Sequence, residues 1–117
     1  MGTATSTPPR RQERSTRTRE RILDAALVEF AERGFDGAST RAIAQRAEVH
    51  QPQINYHFDG KDELWRAAVD HLFAQLDRAM AGAHGVEPMV RAFVGFAADH
   101  PELNRIMVQE ATSEGAR

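Results

Sequence analysis

The residues best suited to chemistry lie between positions 50 and 57, where hydrogen-bonding side chains crowd one short stretch. These polar residues are His50, Gln51, Gln53, Asn55, Tyr56 and His57. They donate and accept hydrogen bonds while holding little charge. Ile54 and Phe58, four residues apart, would lie on the opposite, buried side of a helix. An outward face of this kind suits the edges of base pairs in a DNA major groove.

A metal site is the competing chemistry for the same stretch. His50 and His57, or His57 with Asp59 and Glu63, are candidate ligands. Seven residues, about two helical turns, separate the histidines, which is too far for one ion without a special fold. The sequence has no cysteine, no phosphate-cradling glycine loop and no nucleophile–base signal. We therefore expect no enzyme, no metal and no cofactor.

A second short helix is predicted just before the polar stretch. Ser39 or Thr40 can cap it, because a hydroxyl there accepts a hydrogen bond from an unpaired amide. Its apolar residues share one face: Ile43, Ala44 and Ala47. Val49 then turns inward, and Pro52 suits the first turn of the following helix. The two helices together form a predicted helix-turn-helix.

A helix-turn-helix pair is too small to bury its own apolar faces, so a further helix must cover it. Residues 18–33 supply one, with a stripe at three- and four-residue spacing: Ile22, Leu23, Ala26, Leu27, Phe30 and Ala31. Gly34 is placed to end this helix in a left-handed cap, and Phe35 can pack back on it. We interpret Phe30 and Phe35 as core residues, not as ligand-binding ones.

A long helix is predicted to follow the Asp59-Gly60 turn. Lys61 opens it, and Asp62 and Glu63 complement the positive end of the helix dipole. Its apolar residues form a broad face: Leu64, Trp65, Ala68, Val69, Leu72, Phe73, Leu76 and Met80. At about 30 Å it is long enough to leave the DNA-binding unit.

Two shorter helices are predicted after the break at residues 82–85. The inward residues of the first would be Met89, Phe93, Phe96 and Ala97, and those of the second Leu103, Ile106, Met107 and Ala111. These faces have little to pack on, so we expect a longer protein to continue past Arg117, or another chain to cover them. No strand pattern occurs. The expected fold is all-α: a three-helix bundle with a helix-turn-helix, a long connecting helix and the first helices of a helical regulatory domain.

Three regions follow from this pattern. Residues 1–17 are predicted to be a flexible basic arm that touches the minor groove or phosphates, or a disordered tail. Residues 18–65 would be the helix-turn-helix domain, and residues 66–117 the start of a ligand-binding and dimerisation domain. The net charge of −2 gives no overall attraction to nucleic acid, although six arginines lie within residues 10–21. No apolar run suits a membrane span or a signal peptide.

Several segments together resemble the tetracycline-repressor (TetR) family of bacterial transcriptional regulators. They are ILDAALVEFAERGFDGAST, RAIAQRAEV and INYHFDGKDELW. The resemblance covers residues 18–65 and implies a cytoplasmic, nucleoid-associated homodimer that binds double-stranded DNA at a palindromic operator. It further implies a repressor that leaves the operator when a small-molecule effector binds the carboxy-terminal domain.

The resemblance also implies roles for individual residues. Thr40 and Arg41 would lie against the DNA backbone, and Lys61 would meet a phosphate at a helix amino end. The base-reading positions would be Gln51, Pro52 and Gln53, with Tyr56 and His57 on phosphates. Asn55 stands where the family often has tyrosine, so its contact with base, phosphate or neither stays open.

Two further departures from the family pattern concern the turn. Glu48 replaces a common glycine, and a left-handed conformation there would cost about 1 kcal/mol or more. His50 replaces a usual Ser or Thr cap, so we expect the third helix to fray when free. The alternative function is a helical protein-interaction module that uses a face formed by Trp65, Phe73 and Leu76.

The effector-binding residues are unknown from the sequence. Five large side chains would line part of a pocket or, alternatively, form an ordinary core: Met80, Met89, Phe93, Phe96 and Met107.

Overall fold

Helices make up nearly all of the described chain. The computed structural model describes the backbone of residues 9–112 and the side chains of residues 12–110. Its helices are α1 (Pro9–Gly37), α2 (Thr40–Ala47), α3 (Gln51–His57), α4 (Gly60–Met80), α5 (Val86–Asp99) and α6 (Pro101–Thr112). Within those residues there is no strand, and the predicted all-α fold is confirmed. No helix among them is both long and apolar enough to cross a membrane.

The first helix starts earlier than the apolar pattern indicates. Helix α1 begins at Pro9, not near residue 18, so residues 9–17 are helical where the sequence suggested a flexible arm. Pro9 suits a first helical turn, and the Arg, Glu and Gln residues that follow are good helix formers. No apolar stripe marks this stretch because most of its described side chains face solvent. The first eight residues of the predicted arm lie outside the described part.

A kink at Gly34 divides α1. Gly34 has φ 75° and ψ 171°, which differs from the left-handed helical cap expected there because ψ is extended. Glycine tolerates this positive φ without a Cβ penalty. The chain then makes one more turn that ends at Gly37, and the amide of Ala38 donates to the carbonyl of Gly34 at 3.1 Å. The kink redirects the chain toward α2.

The turn between α2 and α3 has the conformation that the sequence suggested. Ser39 caps α2, since its hydroxyl accepts a hydrogen bond from the amide of Ala42 at 3.0 Å. Glu48 has φ 60° and ψ 46°, so a non-glycine residue does occupy the left-handed region. The amides of Glu48 and Val49 donate to the carbonyls of Gln45 and Ala44, at 3.2 and 3.0 Å. This pair of bonds is a Schellman motif, which provides hydrogen-bond donors for two of the carbonyls in the last turn of α2.

The core of the helix-turn-helix unit is formed where α1 covers the α2–α3 pair and the start of α4. Ile22, Phe30, Ile43 and Ile54 are almost completely buried there, as predicted. Trp65 packs edge-on against Phe30 at 5.0 Å between ring centroids. Trp65 is therefore a core residue, whereas Phe73 on the same predicted interaction face is 39% exposed.

One buried carboxylate links α1 to α2. Glu29 is only 1% exposed, yet its carboxylate lies 3.0 Å from Arg46 and 3.2 Å from Arg33. Arg46 also reaches Glu32 at 2.6 Å. The hydrogen bond to Glu29 is the main reason that the pKa of Arg46 is raised, against the opposing effect of burial. Because an unpaired buried charge is costly, this cluster fixes how α2 sits on α1.

The packing of the last two helices agrees with the prediction in part, since Phe96 of α5 and Leu103 and Ile106 of α6 are buried as predicted. The side chain of Gln109 donates to the carbonyl of Ala31 in α1 at 3.0 Å. Helix α6 thus rests on α1, a partner that the sequence did not indicate. Phe96 is the one predicted inward side chain of α5 that is buried.

Three residues predicted to face inward are instead exposed: Met89, Phe93 and Met107. Their exposed fractions are 44%, 37% and 47%, and Met107 borders an open groove between α4 and α6. Ala111, also predicted inward, lies outside the residues whose side chains are described.

Ile54→Ala should lower the free energy of unfolding by about 2–5 kcal/mol, because it leaves a cavity between α3 and the rest of the core. Chemical denaturation measures this directly. Val108→Ala is the matched control: Val108 is an exposed aliphatic residue on α6, and its truncation should change stability by no more than about 0.5 kcal/mol. Equal stability of the Ile54 variant and the parent would contradict the packing described here.

Candidate nucleic-acid interface

Helix α3 carries its polar residues outward. Gln51, Pro52, Gln53 and Asn55 are exposed, and Tyr56 is 81% exposed. Ile54 and Phe58 are buried beneath them. The predicted two-sided helix is confirmed in this respect. The roles assigned to the individual polar side chains stay predictions.

Two of the predicted base-reading side chains make hydrogen bonds within the protein. The carboxamide of Gln51 donates to the hydroxyl of Thr40 at 2.9 Å, which joins the starts of α2 and α3. The carboxamide oxygen of Gln53 accepts a hydrogen bond from the amide of His50 at 3.0 Å. Gln53 thereby satisfies one free amide at the start of α3, where His50 lacks the usual hydroxyl. Fraying of this helix is opposed by a residue that the sequence had assigned only to base reading.

At its far end, α3 presents an aromatic and an imidazole side by side. The rings of Tyr56 and His57 meet edge to face at 5.0 Å, and the guanidinium of Arg19 lies 5.0 Å from the ring centre of Phe58. Partial burial, and secondarily the positive charge of Arg19, lower the pKa of His57. His57 is therefore a neutral hydrogen-bonding group at physiological pH.

A cleft beside Tyr56 and His57 includes three residues of α1 that the sequence did not single out as site residues. It lies between α1 and α3 and has a volume of about 240 Å³. Its α1 wall is formed by Arg14, Ser15 and Thr18, and its α3 wall by Gln53, Tyr56 and His57. The sequence carries one sign of these residues, the arginine-rich composition of residues 10–21. That composition does not show which side chains face α3; their placement follows from the continuation of α1 through this stretch as a helix.

The two cations predicted to meet DNA backbone differ in their surroundings. Arg41 is exposed near the start of α2. Lys61 is half-buried: its ammonium group donates to the carbonyl of Ala38 at 3.0 Å and lies 3.5 Å from that of Asp36. It also lies 4.7 Å from the ring centre of Phe35. Lys61 therefore anchors the loop before α2, a role that the sequence did not indicate.

Away from this face, an apolar groove of about 470 Å³ runs between α4 and α6. Its lining includes Trp65, Val69, Phe73, Ile106 and Met107. Only Met107 among the five side chains predicted as pocket or core lines it. Among the residues that the structure describes, no group of three His, Asp or Glu side chains is arranged to hold a metal ion.

Comparison with known proteins agrees with this geometry. The family model for bacterial regulatory proteins of the tetR family matches residues 22–68, which span the covering helix, both short helices and the start of α4. One relative is the HTH-type transcriptional repressor NicS from Pseudomonas putida. It is 30% identical over 113 residues, which cover 90% of this chain and 53% of NicS. These matches assign residues 22–68 to the TetR family.

Other TetR-family relatives support the same assignment. The HTH-type transcriptional regulator UidR from Escherichia coli is 32% identical over 105 residues, covering 86% of this chain and 53% of UidR. The crystal structure of a TetR-like regulator from Rhodococcus sp. RHA1 superposes with a TM-score of 0.72 at 27% identity. That match covers 84% of this chain and 58% of the Rhodococcus chain. The chain thus spans about half the length of the curated relatives it matches.

The contribution of His57 to the free energy of unfolding should fall as the pH is lowered from about 7.5 to about 5.5. Its pKa is lowered in the folded protein, so the unfolded state binds the proton more readily over this range. His57→Gln, which cannot titrate, should lack this contribution. Denaturation of both proteins at the two pH values measures the difference, because the remaining groups titrate alike in each. An identical pH dependence would show that His57 ionises as freely in the folded chain as in the unfolded one.

Proposed function

We propose that this chain is the DNA-binding part of a sequence-specific TetR-family transcriptional regulator, a repressor in its simplest form. One observation carries the proposal: the family-matched segment holds an exposed, almost uncharged polar face on α3 over a closed apolar core. Such a face pairs with base edges without strong non-specific attraction. The face is narrow enough for a major groove, which admits a single helix.

The polar residues divide into two groups by chemistry. Gln51, Gln53 and Asn55 carry amides that pair with adenine, which offers an acceptor and a donor side by side, and Pro52 can meet a thymine methyl. Phosphate contacts are proposed for the remaining five site residues: Thr40, Arg41, Tyr56, His57 and Lys61. Phosphate contacts set the register of a protein on the duplex, whereas base contacts supply its specificity.

The cleft between α1 and α3 adds a phosphate contact to this scheme. Arg14 supplies a cation there, and Ser15 and Thr18 supply hydroxyl donors beside Tyr56 and His57. These groups are the usual partners of phosphate oxygens. Because His57 is neutral, it would serve as a hydrogen-bond donor and not as a second charge.

The properties of the whole protein extend this proposal. Relatives of about twice this length are named as transcriptional repressors and regulators. By analogy, we propose that the full-length protein is a cytoplasmic homodimer on a palindromic operator and is released by a small-molecule effector. Residues 18–65 would bind the DNA, and residues 66–117 would begin the domain that binds the effector. A two-fold protein places its recognition helices on half-sites about one helical turn apart.

Selection of binding sites from random duplex DNA with the full-length protein tests the function. A dimer should return a palindromic site, and its binding should weaken steeply with salt because phosphate contacts release counterions. Retention that does not depend on salt, together with no enriched sequence, would favour a helical protein-interaction module instead.

Lys61→Ala should weaken binding to all sequences similarly and reduce the slope of log K against log salt by about one unit. The change removes one phosphate contact, which carries no sequence information. Titration of parent and variant with the selected duplex at several salt concentrations gives both slopes. An unchanged slope would leave Lys61 with its loop-anchoring role alone.

A direct readout separates these two roles. Lys61 is the only lysine among residues 1–117, so reductive methylation of the 117-residue chain with a carbon-13 label gives a single lysine signal beside that of the terminal amine. Contact with a phosphate should shift the lysine signal when the selected duplex is added. A lysine signal that stays fixed while the protein binds would exclude the contact.

Gln53→Ala should cost about 1–3 kcal/mol on the preferred site and blur one base position. Since Gln53 also satisfies the amide of His50, Gln53→Glu is the matched variant: it keeps an acceptor for that amide but loses the carboxamide donor. Site selection should return a changed base preference for both variants. If Gln53→Glu selects the parent sequence, the side chain acts only as a cap.

A further inference from the structure

The most distinctive contact at the helix-turn-helix comes from α1, immediately before its buried stripe begins. The guanidinium of Arg21 donates to the carbonyl of Ala47 at 2.6 Å and to that of Glu48 at 3.3 Å. These carbonyls stand at the end of α2, where the helix leaves its last acceptors without partners. Arg21 therefore binds the turn from outside the helix-turn-helix itself.

The turn that Arg21 holds is a strained one. Glu48 is the only non-glycine residue with positive φ among those described. A side chain in the left-handed region costs free energy that glycine would not incur. The Schellman bonds and the partly buried Val49 oppose this cost from inside the turn. The two bonds from Arg21 oppose it from α1.

We infer that Arg21 is a positioning residue for DNA recognition, which sets the angle of α3 by holding the left-handed turn at Glu48. The inference rests on the proposed function and deepens it. Arg21 acts through the backbone of Ala47 and Glu48, so no contact with DNA is required of it. The guanidinium suits this task because it offers several donors in a fixed plane, whereas lysine offers a single mobile ammonium group.

The ion pair between the two side chains is a minor part of the contact. The nearest guanidinium nitrogen lies 3.9 Å from the Glu48 carboxylate, and both side chains are largely exposed. Exposed pairs of this kind contribute little. The test must therefore separate the effect of the two carbonyl contacts, one of them part-buried, from that of the ion pair.

A double-mutant cycle with Glu48→Gly provides that test. Glycine adopts the left-handed conformation without strain, so the turn should then persist without Arg21. Arg21→Ala should weaken binding to the selected duplex about tenfold in the parent background. In the Glu48→Gly background the loss should be about threefold or less, on the order of the residual hydrogen-bond contribution alone. Glu48→Gln is the matched control, because it removes the ion pair but keeps the strain, and it should not rescue.

Two further readouts distinguish positioning from direct contact. Binding to a scrambled duplex of the same length, and the salt slope, should be unchanged in Arg21→Ala. Arg91→Ala, which removes an exposed arginine from α5, controls for the loss of one charge. The affinity of Arg21→Lys for the selected duplex should lie between those of the parent and Arg21→Ala. Arg21→Lys replaces the alanine variant in the cycle if circular dichroism shows that Arg21→Ala is unfolded.

Each outcome bears on one proposal. An equal loss in the parent and Glu48→Gly backgrounds, or a salt slope lowered by about one unit, would overturn the positioning role of Arg21. The same conclusion would follow from an Arg21→Ala protein that binds like the parent. A parent that prefers no sequence at all would overturn the proposed function instead.

Discussion

The structure depends on α1 covering the apolar side of two helices that cannot cover themselves. Helices α2 and α3 have eight and seven residues, which is too short for independent stability in water. Ile22 and Phe30 meet Ile43 and Ile54 in one continuous core, and Trp65 closes it from α4. Burial of a large apolar side chain contributes on the order of 1.5–3 kcal/mol relative to its exposure. Burial of Ile54 fixes the rotation of α3, and the polar residues on its other side therefore face outward.

Polar contacts then set angles that the core leaves open. An apolar core is non-directional, so it does not by itself determine how a short helix is rotated or where a turn bends. Glu29 pairs with Arg46 across α1 and α2, and Gln51 pairs with Thr40 across α2 and α3. His71 of α4 lies 2.8 Å from Asp24 of α1. These directional contacts join all four helices of the unit.

Much of this fold follows from local pattern, and the remainder does not for physical reasons. The spacing of Ile22, Leu27 and Phe30 predicts the covering helix. The left-handed turn at Glu48 is indicated by the family resemblance, because the family often has glycine at that position. The helical stretch before residue 18 has no such period, because a solvent-facing helix needs none. The docking of α6 on α1 joins residues far apart in sequence, as between Gln109 and Ala31, and local periodicity carries no information about it. For the site, residue type identified the polar face of α3, yet it could not show that Gln53 caps its own helix or that Lys61 turns toward the loop. Those choices depend on which backbone groups come within reach.

The helical state of residues 9–17 lowers the entropy cost of binding a ligand in the cleft beside α3. An unstructured segment gives up about 1–2 kcal/mol of backbone entropy for every residue that binding immobilises. Arg14 and Ser15 stand on a helix already, so only side-chain freedom is left for them to lose. Capture of a phosphate at this cleft would then be nearly a rigid-body event, fast in its final step and with little heat-capacity change from ordering.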